Sequence, residues 1–260
     1  MLQDWNTVGD EISDWIYDYA SSNGITTLVV GVSGGIDSAV TSALCAKTGL
    51  RTIALNMPIH QDTSQYNLSN RHMEWLLGNW KNAESHIIDL SDTFTALDNE
   101  VGEYKSNLTL ANAKARLRMT TLYHFAGLNN GIVVGTGNKV EDFGVGFFTK
   151  YGDGGVDISP IADLMKSEIY SLASALGVIQ EIQDAAPTDG LWGDGRTDED
   201  QLGASYEELE WAMEEAEKPS GRELSDREAE VLERYLELNA ANSHKMSPIP
   251  VFQMTRRRVE

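Results

Sequence analysis

Hydrophobic positions in this chain fall into two kinds of pattern. Val8, Ile12, Trp15, Ile16 and Tyr19 stand at helical spacing among acidic and polar neighbours, which predicts an amphipathic helix over residues 8–19. Residues 27–32 form a β-branched apolar run, and a helix is expected after the glycine-rich stretch that follows it, reaching about Lys47. TGLRTIALNMP then reads as a turn and a second strand stopped by Pro58. Helical patterns follow at 66–80, 91–101 and 107–127. SHIIDL (85–90) and GIVVGT (131–136) read as the third and fourth strands. Met165, Ile169, Leu172 and Leu176 mark a later helix closed by Gly177.

Strands that are apolar on both faces and alternate with helices imply a parallel sheet covered on both sides. The expected fold class is therefore α/β, a doubly wound parallel sheet with helices on both faces. No internal repeat or Pro/Ser-rich linker interrupts it, so residues 1–260 read as one domain. APTDGLWGDGRTDEDQLG (186–203) breaks the pattern: four glycines, five acidic residues and no apolar period, too long for an ordinary connection. Residues 194–237 carry 16 acidic and 5 basic residues and read as solvated helix faces.

Charge narrows the partners. Lys+Arg number 20 and Asp+Glu 40, a formal net charge of −20, which opposes a broad nucleic-acid surface. The terminal Arg256, Arg257 and Arg258 read as a solvated tail on such a chain. The single cysteine, Cys45, excludes an internal disulfide framework and a cysteine-based zinc site, and fits a reducing cytoplasm. It follows Ala43 and Leu44 and reads as small core packing. MLQDWNTVGDEISDW lacks the basic start and apolar core of a signal peptide, and the apolar runs are too short to span a membrane.

The chemistry concentrates in GVSGGIDSAV (31–40). A strand that leaves through glycines into a helix makes an anion site, because unhindered N–H groups and the helix N-terminus converge there. Gly34 and Gly35 allow close approach of a phosphate, and Ser33 and Ser38 add hydroxyls. The stretch is neither a Walker motif nor a dinucleotide fingerprint, since the Lys and the glycine spacing are absent. Asp37 would repel phosphate unless a cation lay between them, which argues for Mg²⁺ held by Asp37 and phosphate oxygens.

SGGIDS resembles the pyrophosphatase loop of enzymes that split ATP into AMP and pyrophosphate. With KARLRM (114–119), GTGNKVEDFGVGFFTKYGDGGVDISPIADLMKSEIY (135–170), the 186–203 stretch and HK at 244–245, nearly the whole chain resembles ammonia-dependent NAD synthetase. The resemblance implies the adenine nucleotide alpha hydrolase-like, Rossmann-like form of the fold. It implies that Gly31, Val32, Ser33, Gly34, Gly35, Ile36, Asp37 and Ser38 hold ATP, with Ser33 and Asp37 at the reacting phosphates. Thr136, Lys166 and Thr188 match later ATP contacts. Asp37 and Glu141 match the Mg²⁺ carboxylates. Arg116, Lys150, Asp157, His244 and Lys245 match contacts to nicotinic acid adenine dinucleotide (deamido-NAD). One feature departs from the family: EDFGVGFFTK carries an additional residue before FFTK, which leaves Glu141 and Asp142 as alternatives for the second metal carboxylate. Counting from Thr136 favours Glu141 and places the extra residue in DFGVG, as a bulge or loosened turn.

The implied reaction joins ammonia to the nicotinate carboxylate through an acyl adenylate, with the 187–203 stretch as a lid over it. The implied nitrogen donor is ammonia, free or delivered by a separate glutaminase chain, because no amidase domain with a nucleophilic cysteine is legible. A homodimer is expected, with helices 8–19 and 107–127 as candidate interface elements. Two rival readings are weaker. A tRNA-thiolating relative would need cysteine pairs. A degenerate nucleotide-binding module would be expected to have lost Asp37, Glu141, Lys150 or Lys166.

Overall fold

The computed structural model describes residues 3–61, 63–187 and 197–254. Among these the sheet has four strands, all parallel: β1 (Thr27–Gly31), β2 (Arg51–Asn56), β3 (Ala83–Ile87) and β4 (Gly131–Val133), in the order β3-β2-β1-β4. The chain winds outward from β1 to β3, then returns to place β4 on the other side of β1. That reversal opens a crevice beyond the carboxyl ends of β1 and β4, where ligands bind in such sheets.

Side-chain alternation along β1 explains the two covered faces. Leu28 joins a core with α1 (Trp5–Ser22), α2 (Ile36–Lys47) and α6 (Lys166–Leu176). Val30 packs with Met73 and Leu76 of α3 (Thr63–Asn79). Val29 turns to the opposite face with Phe94 of α4 (Ser91–Val101) and Ala126 of α5 (Asn107–Leu128). A period of two on a strand buried on both sides leaves no polar position, hence the unbroken run LVV.

The expected doubly wound fold is therefore present, with two strand boundaries moved. β3 begins at Ala83, not Ser85, because its ladder with β2 starts at the pair Thr52–Ala83. It is an edge strand, partly exposed, so the polar Glu84, Ser85 and His86 are tolerated in it, and it ends at Ile87, not Leu90. The fourth ladder ends at Val133, three residues short of Thr136. Val134 instead bridges Ile158, and the Gly135 N–H donates to the Ile158 carbonyl at 2.7 Å.

The acidic C-terminal region is also more than solvated faces. α8 (Asp198–Leu202), α9 (Tyr206–Glu217) and α10 (Asp226–Met246) build a separate apolar cluster from Leu202, Leu209, Ala212, Met213, Val231 and Tyr235, packed on Val140 and Val145. Their outer faces carry exposed ion pairs such as Arg227–Glu208 at 2.7 Å, each contributing about 0–1 kcal/mol. Of the 186–203 stretch, the part from Asp198 is helical and anchored by buried Leu202. Residues 188–196 and Arg256, Arg257 and Arg258 lie outside the described residues.

One packing detail has a measurable consequence. His72 of α3 has no solvent exposure; its Nε2 lies 2.7 Å from Ser42 Oγ of α2, its Nδ1 has no described partner, and its ring packs on Trp75. Burial pushes its pKa down to about 4. The folded protein therefore holds His72 neutral while the unfolded chain takes up the proton below about 6.5. Stability from the neutral ring is fully present above pH 6.5 and is lost as pH falls toward 4, by up to about 3 kcal/mol. Urea unfolding of wild-type and His72→Gln proteins across pH 7 to 4 should show this slope in the wild type and a flatter profile in the variant; parallel profiles would show that His72 does not set it.

Candidate active site

β1 ends at the crevice and delivers the glycine-rich loop there. Val32 extends the β1 ladder by donating its N–H to the Leu55 carbonyl at 2.8 Å, and Gly34 then turns with φ +93°. A Cβ on Gly34 would lie 3.1 Å from both the Gln65 carbonyl and the Ser69 nitrogen of α3, so this position needs glycine twice over. The two serines differ. Ser33 is exposed. Ser38 is buried, donates to the Gly35 carbonyl at 2.9 Å and accepts the Ser33 N–H at 3.2 Å, so its hydroxyl ties the loop together. Gly35 caps α2 without a side-chain acceptor, which leaves first-turn amides of that helix to a ligand.

Beyond the loop, three parts of the chain meet around one ammonium. Lys166, the first residue of α6, is 2% exposed and donates to Asp37 Oδ2 at 2.6 Å and Glu141 Oε1 at 2.9 Å. An exposed helix lysine would have been the ordinary expectation for this residue. Burial works against its charge, yet the Asp37 and Glu141 carboxylates outweigh it and raise the Lys166 pKa, so the ammonium is permanent. Burial pushes Asp37 up, with Glu141 adding to the effect and Lys166 opposing it. Burial also works against the Glu141 charge, but Lys166 and a hydroxyl bond hold that carboxylate below its ordinary range.

Two residues absent from the sequence reading complete the arrangement. Asn138, with no exposure, accepts the Glu141 N–H at 3.0 Å and donates to Asp37 Oδ1 at 3.1 Å, joining the two carboxylate segments. Tyr206 donates its hydroxyl to Glu141 Oε1 at 2.5 Å. The N-x-x-E spacing of a helix cap was a usable signal for Asn138; nothing local marks Tyr206.

Glu141 sits in a π-helical turn, Lys139–Val145, closed by Gly146 at φ +65°. An i→i+5 turn is the geometry that one additional residue in a helical turn produces, and it matches the loosened turn expected for DFGVG. Within it Glu141, not Asp142, shares Lys166 with Asp37. Asp142 lies over Gly137, where a Cβ would fall 1.7 Å from its Oδ2. Burial, then the Asp153, Glu141 and Asp37 charges, pushes the Asp142 carboxyl well up.

Four of the five dinucleotide candidates also converge. Arg116 of α5 donates from Nε and Nη2 to the Lys150 carbonyl at 3.3 and 3.2 Å. Lys150 Nζ donates to the His244 carbonyl at 3.0 Å, and Lys245 Nζ to the Phe148 carbonyl at 2.7 Å. These acceptors are neutral; burial lowers the pKa of Lys245, although the Asp153 and Asp142 carboxylates also act on it. Arg118 separates from Arg116 and donates to the Met57 carbonyl at 3.0 Å. His244 is exposed and enters through its carbonyl, not its ring. Asp157 is committed elsewhere: it accepts the Val133 N–H at 2.7 Å and the Tyr123 hydroxyl at 3.0 Å. Thr136 is partly buried on the loop beyond β4, and Thr188 lies outside the described residues.

The donor set can be tested against a divalent cation. Asp37 and Glu141 are hard oxygen donors whose two charges exceed that of Lys166. Among the described residues no group of three or more His, Cys, Asp or Glu side chains has ligating geometry. A cation here would need oxygens from a nucleotide or water to complete its shell, which is how Mg²⁺ is ordinarily bound, through one or two carboxylates and substrate phosphates. The residues fit Mg²⁺ on those terms.

A family model described as NAD synthase matches residues 8–249. An NH(3)-dependent NAD(+) synthetase of Archaeoglobus fulgidus is 38% identical over 247 residues, 94% of this chain and 95% of that one. Among solved structures, an NMN synthetase from Francisella tularensis superposes with TM-score 0.86 at 32% identity, over 97% of this chain and 100% of that one. An NH3-dependent NAD synthetase from Campylobacter jejuni superposes with TM-score 0.79 at 25% identity, over the same shares. With a match running almost end to end, the chain belongs to the NAD synthase family.

Proposed function

We propose that residues 1–260 form a single synthetase domain that amidates deamido-NAD with ammonia, using ATP and releasing NAD, AMP and pyrophosphate. As a family member the chain is a carbon–nitrogen ligase that takes ATP as co-substrate. The observation that carries the residue-level reading is the Lys166 ammonium shared by Asp37, in the first turn of α2, and Glu141.

A carboxylate is a poor electrophile and must be activated. In the first step a nicotinate oxygen attacks the α-phosphorus of ATP, the bond to the β-phosphate oxygen breaks, and pyrophosphate leaves with the electron pair. The loop Gly31–Ser38 holds the phosphates: its glycines admit them, Ser33 offers an exposed hydroxyl, and the uncapped amides of α2 face them. Lys166 and Thr136 complete the ATP contacts, with Thr188. Bound with the nucleotide by Asp37 and Glu141, Mg²⁺ supplies neutralisation of the phosphate charge. In the second step ammonia attacks the acyl carbon, the carbon–oxygen bond to AMP breaks, and a proton is released. Ammonia arriving unprotonated needs no general base. Arg116, Lys150 and Lys245, with His244 beside them, bind the acceptor, whose pyrophosphate suits guanidinium and ammonium donors; Asp157, the remaining candidate, already accepts from the Val133 N–H and the Tyr123 hydroxyl.

A second reading keeps the chemistry and changes the acceptor. The F. tularensis relative is described as an NMN synthetase, which makes nicotinic acid mononucleotide the alternative substrate. The similarity to NAD(+) synthetases over 94% of the chain favours the dinucleotide. A cytoplasmic setting belongs to the same proposal, resting on the single buried Cys45; no described helix is long and apolar enough to cross a membrane.

Pyrophosphate release measured with ATP and ammonium should require deamido-NAD and run at least tenfold slower in kcat/KM with the mononucleotide; the reverse order would assign the mononucleotide. Glutamine freed of ammonium should give no product from the purified chain.

Asp37→Asn should abolish turnover without unfolding the protein. Glu141→Gln should lower kcat by about 100-fold or more, as loss of a metal and lysine partner does at such sites, while Asp142→Asn costs far less. The opposite order, with both variants folded by circular dichroism, would move the metal carboxylate to Asp142.

A homodimer completes the proposal. On α1, Trp15 and Tyr19 are 48% and 40% exposed with ring centroids 6.1 Å apart, and on α5 Leu108, Tyr123 and Leu128 are exposed. Symmetric pairing of these faces would cover them. Sedimentation equilibrium should give twice the chain mass of 28.6 kDa; a fully active monomer would refute the pairing.

A further inference from the structure

Tyr206 opens α9, at the junction between the acidic C-terminal helices and the crevice. It is 7% exposed, and each of its groups has a contact. The hydroxyl donates to Glu141 Oε1 at 2.5 Å and lies 3.4 Å from Asp198 Oδ2. The ring face receives Lys166 Nζ at 4.7 Å from its centroid. The ring edge belongs to the apolar cluster with Leu209, Val231 and Tyr235. Its backbone N–H donates to Glu199 Oε1 at 2.9 Å, and Ser205 and Glu208 form a capping box at the helix start.

Core packing alone does not require this residue. A phenylalanine fills the same space, and a buried hydroxyl is costly unless bonded. The hydroxyl goes to the same carboxylate oxygen that accepts from Lys166, so two donors fix the rotation of Glu141. The aromatic face meanwhile limits where the Lys166 ammonium sits, since a cation is attracted to the ring centre. One side chain therefore constrains both the carboxylate and the ammonium of the triad without reaching the loop that holds the phosphates.

We infer that Tyr206 is a positioning residue for the adenylation step, holding Glu141 and Lys166 in the arrangement that receives the metal-bound nucleotide. The inference rests on the function proposed above, and its test separates the two. Mn²⁺ binding, followed by the electron paramagnetic resonance of the free ion in the presence of a non-hydrolysable ATP analogue, requires no acceptor and no turnover. Tyr206→Phe keeps the ring, so its thermal unfolding should stay within a few degrees of wild type. Its apparent Kd for Mn²⁺ should rise at least fivefold, and its kcat for pyrophosphate release should fall tenfold or more with KM for deamido-NAD within twofold. In a Glu141→Gln background the same change should cost less than twofold in kcat, because the carboxylate it positions is gone. Equal Mn²⁺ affinity in wild type and Tyr206→Phe, or an undiminished cost in the Glu141→Gln background, would overturn the inference alone. Absence of Mn²⁺–nucleotide binding by the wild type would overturn it together with the proposed metal site. Should Tyr206→Phe unfold, Tyr206→Leu, which keeps an apolar side chain and removes both the ring and the donor, takes its place, and a folded Tyr206→Leu with wild-type Mn²⁺ affinity and kcat would likewise overturn the inference.

Discussion

Taking an ammonium out of water costs several kcal/mol, and Lys166 bears that cost only because Asp37 and Glu141 meet it at hydrogen-bond distance. The same is true in reverse: neither carboxylate would stay charged at this depth without the lysine. The rest of the crevice is arranged to keep the three together. Asn138 stitches the Asp37 helix to the Glu141 turn. Gly137 leaves room for Asp142 behind that turn. The α9 helix closes the open side with Tyr206. Such a triad is weak evidence for stability, since a buried ion pair often contributes little net free energy. Its value lies in geometry: it holds two carboxylates side by side next to the glycine-rich loop.

Much of this was legible in the sequence, for physical reasons that differ by residue. The buried strand LVV and the glycine exit from it are forced by local sterics, so fold class and loop could be read directly. Asp37 could be read because a carboxylate in an anion loop makes sense only with a cation. Glu141 and Lys166 were legible through resemblance, since neither spacing nor composition distinguishes them from surface residues. Asn138 carried a local cap signal that went unused. Tyr206 carried none, because its meaning arises from a contact 65 positions away. The acidic helices read as solvated, and their outer faces are; the inner face escapes the sequence because helical periodicity tells which side is apolar and not what a polar atom on that side touches. The boundaries of β3 and β4 moved because edge pairing and the Val134–Ile158 bridge are set by neighbours, not by the strands' own residues.

The second cluster of cations reads differently from the first. Arg116, Lys150 and Lys245 are held by neutral carbonyl oxygens, and Lys245 also lies in the field of Asp153 and Asp142. The chain thus keeps two kinds of positive charge: one locked by carboxylates beneath the nucleotide loop, and others poised on neutral acceptors.

The sequence separations within the triad carry a consequence for the protein's birth on the ribosome. Asp37 waits 129 positions for Lys166, and Glu141 waits 65 for Tyr206. Strands β1 and β2 can pair while translation continues, but the crevice is incomplete until α9 has cleared the exit tunnel. Until Lys166 emerges, Asp37 stands beside the glycine-rich loop without its ammonium partner. Contacts of such long reach form late in folding. The buried ion pairs of Lys166 can therefore close only after well over half of the chain has been made.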